Sequence, residues 1–169
     1  MTRITTGTIH LFTYKEGMLS AMAHDLRLTV NKFRIQVDGE RFDATFFPES
    51  IGVDGAVRDG QIDARALDEK DKAKIRATMQ AEVLKTSQFG RVTYSGTLSH
   101  EGVVAVARGQ LELAGKKAPL DVHIRRTSAG LRGEVEIVPT RWGIKPYKAL
   151  GGALKLQDRV RVTFELPTT

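Results

Sequence analysis

One pattern constrains this chain more than any other. Apolar and polar residues alternate, segment after segment, with a single interruption. The longest instance lies near the C-terminus: Val160, Val162, Phe164 and Leu166 share one face, and Arg159, Arg161, Thr163 and Glu165 the other. That period of two belongs to a strand with one buried face. Residues 26–37 repeat it with a change of parity, Leu26, Leu28 and Val30 before Asn31, then Phe33, Ile35 and Val37 after it. Such a switch predicts a bulge or sharp bend. Further strands are expected over residues 3–14, 41–47, 61–65, 91–98, 103–113, 119–126 and 131–138. The first of these carries apolar residues on both faces, Ile9 and Leu11 against His10 and Phe12, which predicts a strand bending between two environments. Asp38-Gly39, Asp54-Gly55, Asp59-Gly60 and Ser128-Ala129-Gly130 are the expected turns.

The interruption spans Asp68 to Leu84. Asp68 is placed to cap a helix, with Glu69 and Asp71 in the first turn, where the helix dipole favours negative charge. Ile75, Met79 and Val83 recur every fourth residue and make one narrow apolar stripe, so one face packs on something apolar.

The expectation is a mainly β protein: an extended antiparallel β-barrel of about eight strands with one amphipathic helix inserted near mid-chain, since closure hides strand edges. A β-sandwich is the competing architecture. A length of 169 residues with 41% hydrophobic content favours one domain, residues 1–169, with its own core. No apolar run is long enough to span a membrane. The N-terminus lacks the apolar region of a secretion signal, which gives a cytoplasmic location as the expectation. Net charge is +6, but the 26 basic and 20 acidic residues are interspersed, without the clustered basic and aromatic residues of a nucleic-acid interface.

Chemistry leaves little trace. His10, His24, His100 and His123 have no metal-ligand spacing, and the chain contains no Cys. Gly151-Gly152 lacks the strand–loop–helix context of a phosphate loop, and no serine sits in a nucleophile elbow. Neither metal nor cofactor is expected, and no catalytic residue is assigned. The large apolar residues are more informative: Phe33, Phe42, Phe46, Met79, Val83, Phe89, Tyr94, Trp142, Ile144, Tyr147 and Leu150. Periodicity does not separate core packing from a cavity wall among them. The same choice stands for residues 141–154, an apolar stretch with the only Trp and several glycines, which either plugs a core or lines a space.

Four segments resemble the YceI-like family of lipid-binding barrels. They are GMLSAMAHDLRLTVNKF from Gly17 to Phe33; the helix and its exit, ending in QFGRVTYS at Ser95; GQLELAGKKAPLDVHI from Gly109 to Ile124; and WGIKPYKALGGALKLQDRVRVTFEL from Trp142 to Leu166. The last is the most specific. Gly90 stands where the family commonly has Pro, and Ala114 where it commonly has a polar residue.

The resemblance implies a lipocalin-like barrel that holds a long-chain amphiphile: a polyisoprenoid, fatty acid or fatty amide. It makes Phe33, Phe46, Met79, Val83, Phe89, Tyr94, Trp142, Ile144, Tyr147 and Leu150 the cavity candidates. His24, Arg141, Lys145 and Lys148 flank the two apolar segments and are candidates for a headgroup mouth. About a dozen buried methylenes at ~0.8 kcal/mol each gain roughly 10 kcal/mol before association costs, consistent with micromolar or tighter binding. Transport, storage or sequestration would follow, without catalysis. Two alternatives stand beside this: an enzyme acting on a bound apolar molecule with His24 as acid or base, and a stress-linked scaffold without ligand, for which a large exposed apolar patch or a homodimer face is the expectation.

Overall fold

The structure is a computed structural model that describes residues 1–16, 24–149, 152 and 154–168, and for Leu154 the backbone alone. The alternating segments become strands β1 (Thr2–Ile4), β2 (Thr8–Glu16), β3 (Asp25–Val30), β4 (Phe33–Asp38), β5 (Arg41–Phe46), β6 (Ile51–Arg58), β7 (Gln61–Asp63), β8 (Val92–Glu101), β9 (Val104–Leu113), β10 (Lys116–Thr127), β11 (Gly130–Ile137), β12 (Lys148–Ala149) and β13 (Leu154–Leu166). They form one curled antiparallel sheet in the order β1-β4-β5-β8-β9-β10-β11-β13-β2-β3-β6-β7, with β12 paired to β13.

The thirteen strands among the described residues exceed the roughly eight expected from the alternating pattern. Two long runs are each broken once, which accounts for part of the difference. β3 and β4 are one run bent at Asn31-Lys32, where the parity changes, and β5 and β6 are one run bent at the tight 3-10 turn Pro48–Ser50. The two bends lie against each other. Phe47 N donates to Lys32 O at 3.1 Å, and Asn31 N to Ser50 O at 3.3 Å. The remainder are the short strands β1, β7 and β12. This bent ribbon curls the sheet. Its first half pairs with β2 and its second half with β8, so one hairpin joins strands far apart in the sheet order.

Turn chemistry fixes the registers. Asp59-Gly60 and Ala114-Gly115 are two-residue turns with positive φ at both positions, 53° and 78°, then 51° and 78°. That is the geometry of a type I′ turn, for which Asn-Gly is the favoured pair and Ala is strained. Ala114→Asn is expected to raise stability by up to ~1 kcal/mol, read as a higher urea midpoint at unchanged slope. Asp54-Gly55 is not a turn, contrary to expectation. It is a bulge within β6: Gly55 opposes Arg27 and Val53 opposes Leu28, leaving Asp54 unpaired. The bulge turns the Asp54 carboxylate outward, where it accepts from Arg27 Nε at 2.9 Å and Thr29 Oγ1 at 2.6 Å.

The helix α1 (Glu69–Thr78) continues through a π-helical turn, Met79–Val83. Asp68 caps it as its sequence position predicts: Asp71 N donates to Asp68 Oδ1 at 2.8 Å, and Asp68 N donates back to Asp71 Oδ2 at 3.2 Å. The helix docks on the β5–β6 bend. Arg76 donates to the carbonyls of Ile51 and Glu49, and Gln80 Nε2 to Pro48 O at 2.9 Å. These bonds tie the helix to backbone carbonyls at and beside the bend. Ile75 and Met79 then press onto the core.

β2 is a single unbroken strand. Its outward residues are covered from the neighbouring strand. The guanidinium of Arg161 lies 4.3 Å from the Phe12 ring centroid and that of Arg159 lies 4.0 Å from Tyr14. Arg161 Nε also donates to the Tyr14 hydroxyl at 2.8 Å. His10 continues this row, edge-on to Phe12 at 6.1 Å. Burial, and then the Arg27 charge, hold the His10 imidazole below its usual 6.5. Unfolded His10 therefore takes up a proton as pH falls through 6.5, before the folded form does. The contribution is fully present above that pH and is lost as pH drops toward the lowered folded value. His10→Gln is expected to flatten the acid side of the stability–pH curve below pH 6.5, measured by urea denaturation.

Candidate ligand cavity

Inward-facing residues gather into two core clusters. One forms around Ile9, Leu28 and Ala56, and the other around Phe42, Ala107 and Trp142. Ile35, Phe46 and Phe164 touch both. A cavity of about 350 Å³ opens onto residues of both clusters. Its size falls in the range of small-molecule sites. The strands explain why it is apolar. Val135 and Ile137 on β11, and Val160 and Val162 on β13, have inward parity but are only half-buried, because they front this space. Among the described residues, Tyr94 carries the only side-chain polar atom in the lining. Its hydroxyl lies 2.7 Å from Leu120 O and 3.1 Å from Ala107 O, so the wall itself occupies it. Burial, reinforced by Asp121, pushes that phenol well above its usual value, so it stays neutral. An apolar space offers water few hydrogen-bond partners.

The two long strands β10 and β11 part along a seam in the wall. β10 and β11 share only four register pairs, Ile124–Thr127 against Gly130–Gly133. Beyond these, β10 continues on β9 and β11 on β13. The segment after β11 closes this gap. A 3-10 turn, Pro139–Trp142, ends at Gly143 with φ 74°, the left-handed region that favours glycine. Trp142 then points inward, 1% exposed, and its Nε1 donates to Leu111 O at 2.8 Å. Arg141 lies over the indole at 5.1 Å and donates from Nη2 to Pro119 O at 3.1 Å, which ties the turn to β10. Two residues on, Ile144 lines the cavity. The choice between plug and lining therefore resolves by residue: Trp142 fills, Ile144 faces the space.

Of the other residues singled out in the sequence, Phe46, Val83 and Tyr94 lie on the cavity surface. Phe33 and Met79 pack in the core beside it. Phe89 rests on the β9–β10 turn, its ring against Gly115. Tyr147 is 38% exposed, and Leu150 lies outside the described residues. His24, Lys145 and Lys148 are exposed, and none lines the cavity. Attention to large and aromatic residues missed the aliphatic rows Leu120, Val122 and Ile124 on β10, Val135 and Ile137 on β11, and Val160 and Val162 on β13. The period of two already marked them as inward-facing.

Comparison with known proteins follows the same lines. A family model described as YceI-like domain matches residues 5–168, and the chain belongs to that family. No curated protein matches the sequence. Among solved structures, BcnA of Burkholderia cenocepacia superposes with a TM-score of 0.67 at 12% identity, covering 96% of each chain. A polyisoprenoid binding domain from Saccharophagus degradans, implicated in plant cell wall breakdown, gives 0.62 at 8% identity over 97% of this chain and 95% of that one. The YCEI protein of Campylobacter jejuni gives 0.53 at 8% identity, covering 84% and 85%. At these identities the likeness is one of fold. Among the described residues, no helix is long and apolar enough to cross a membrane.

Proposed function

We propose that this protein binds one long-chain amphiphile, such as a polyisoprenoid, fatty acid or fatty amide, in its interior and carries or sequesters it without chemical change. The carrying observation is the row of half-buried aliphatic side chains facing an apolar space of about 350 Å³. Apolar surface left facing an internal space costs stability that a hydrocarbon chain recovers. Membership of the YceI-like family and the fold shared with a polyisoprenoid binding domain support the same reading. His24 is exposed and does not line the cavity, so no acid–base role is placed on it.

Titration with a saturated long-chain fatty acid or 1-decanol in a calorimeter tests this. The expected result is saturable binding near one equivalent, at micromolar or tighter affinity for the longer chains, with a negative heat-capacity change from apolar burial. Affinity should rise with chain length by a few-fold per methylene until the cavity is full. The absence of saturable binding at any length would contradict it.

A further inference from the structure

On the outside of the wall, at the head of the β10–β11 seam, lies an open groove of about 600 Å³. Outward residues of five strands line it, including Arg125, Arg132, His123 and Thr163. Arg125 and Arg132 are directly opposite each other in the β10–β11 register. Like charges in that position repel and destabilise a sheet. Elsewhere on this outer face arginines are paired, Arg161 with Glu134 at 3.3 Å and Arg159 with Glu136 at 3.6 Å. Arg125 and Arg132 have no carboxylate within 4.0 Å among the described residues, and both are exposed. Glu134 and Glu165 also border the groove; Glu134 is held by Arg161, and Glu165 stands opposite Arg132 in the β11–β13 register but makes no ion pair with it within 4.0 Å. The wall is thin here. Gly133 has no side chain, and the ring of its cross-strand partner Phe164 occupies the place a Cβ would take. Phe164 and Ile124 line the groove and the internal cavity alike.

We propose that this groove is a binding site for a phosphate-class anion, held by the Arg125–Arg132 pair. Two guanidinium groups facing one another supply paired N–H donors for the oxygens of a phosphate, and the anion relieves their mutual repulsion. The site stands across one wall thickness from the cavity. An amphiphile whose chain lies inside, as proposed above, would present its phosphate headgroup there by leaving the cavity where β10–β11 pairing ends, past Ile124 and Gly133. A free phosphate or phosphate ester satisfies the same two arginines without a chain, and this part of the proposal does not depend on the cavity reading.

The test uses decyl phosphate, 1-decanol and inorganic phosphate against the wild-type protein and the double variant Arg125→Gln, Arg132→Gln. Calorimetry gives affinity, and amide chemical shifts of Gly133 and Thr163 report the groove. If the anion is a headgroup, the wild type binds decyl phosphate at least tenfold more tightly than 1-decanol. The double variant loses that preference and keeps its affinity for the alcohol. If the anion is free, inorganic phosphate shifts Gly133 and Thr163 in the wild type and not in the variant, and the decyl chain adds no affinity. The variant removes both the Arg125–Arg132 repulsion and the Arg132–Glu165 attraction, so it should melt close to the wild type, and melting curves separate lost binding from lost folding. Equal response of wild type and variant to both phosphates overturns the site. Failure of 1-decanol and decyl phosphate to bind, with inorganic phosphate still read by the groove, would instead overturn the cavity reading and leave the anion site standing.

Discussion

Trp142→Ala is expected to lower stability by about 4–5 kcal/mol, the largest effect of any single substitution considered. Truncating a buried Trp typically costs ~3–5 kcal/mol through lost contacts and the cavity left behind. Trp142 is 1% exposed, and its Nε1 is a partner of the buried Leu111 carbonyl. Leaving such a carbonyl with one partner fewer adds up to ~1–3 kcal/mol if water does not reach it. The location amplifies the effect, because Trp142 closes the stretch where β10 and β11 are not paired to each other. Trp142→Phe keeps most of the volume and removes the donor, and should cost ~1–3 kcal/mol. Urea denaturation followed by far-UV circular dichroism measures both, since the only Trp is lost. A loss below ~2 kcal/mol for Trp142→Ala would show that the seam is held by other contacts.

Val135→Phe should have the opposite signature: stability nearly unchanged, ligand binding largely abolished. Val135 points inward from β11, opposite Val162, and fronts the cavity. A Phe there grows into open space, so the ~1–3 kcal/mol strain of overpacking a filled core should be mostly avoided. The ring displaces the volume of about four methylenes of a bound chain. At ~0.8 kcal/mol each, binding weakens by about 3 kcal/mol, more than 100-fold in Kd. Calorimetric titration of a long-chain fatty acid against both proteins, with melting curves as control, separates the outcomes. Unchanged affinity would place the chain elsewhere.

The contrast between these two residues shows what sequence patterning carries. Alternation placed Val135, Val160 and Val162 on the inward face, and the structure keeps that parity along β11 and β13. The parity switch at Asn31 marked the bend that curls the sheet, and Asp68 marked the helix start. Alternation does not reveal how far apart facing walls stand. Trp142 and Ile144 are both apolar and two residues apart, yet one fills the core and the other borders the space. That difference is set by where β10 and β11 part company, which depends on pairing across the whole sheet. Asp54-Gly55 failed as a turn for a related reason. A Gly with positive φ serves a bulge as well as a hairpin, and only the partner strand β3 decides between them. The Arg159 and Arg161 covers on Tyr14 and Phe12 were equally hidden, since they join residues from opposite ends of the chain.

The most direct test of the central claim is native mass spectrometry of the purified protein before and after solvent extraction, followed by incubation with an equimolar long-chain fatty acid. The expected spectrum shows a single increment in the mass range of one long-chain lipid, either carried from the cells or gained on incubation, and lost on extraction. It should be greatly reduced in Val135→Phe. A bare protein mass in every condition, with Val135→Phe indistinguishable from wild type, would contradict the account and make the interior space a packing defect.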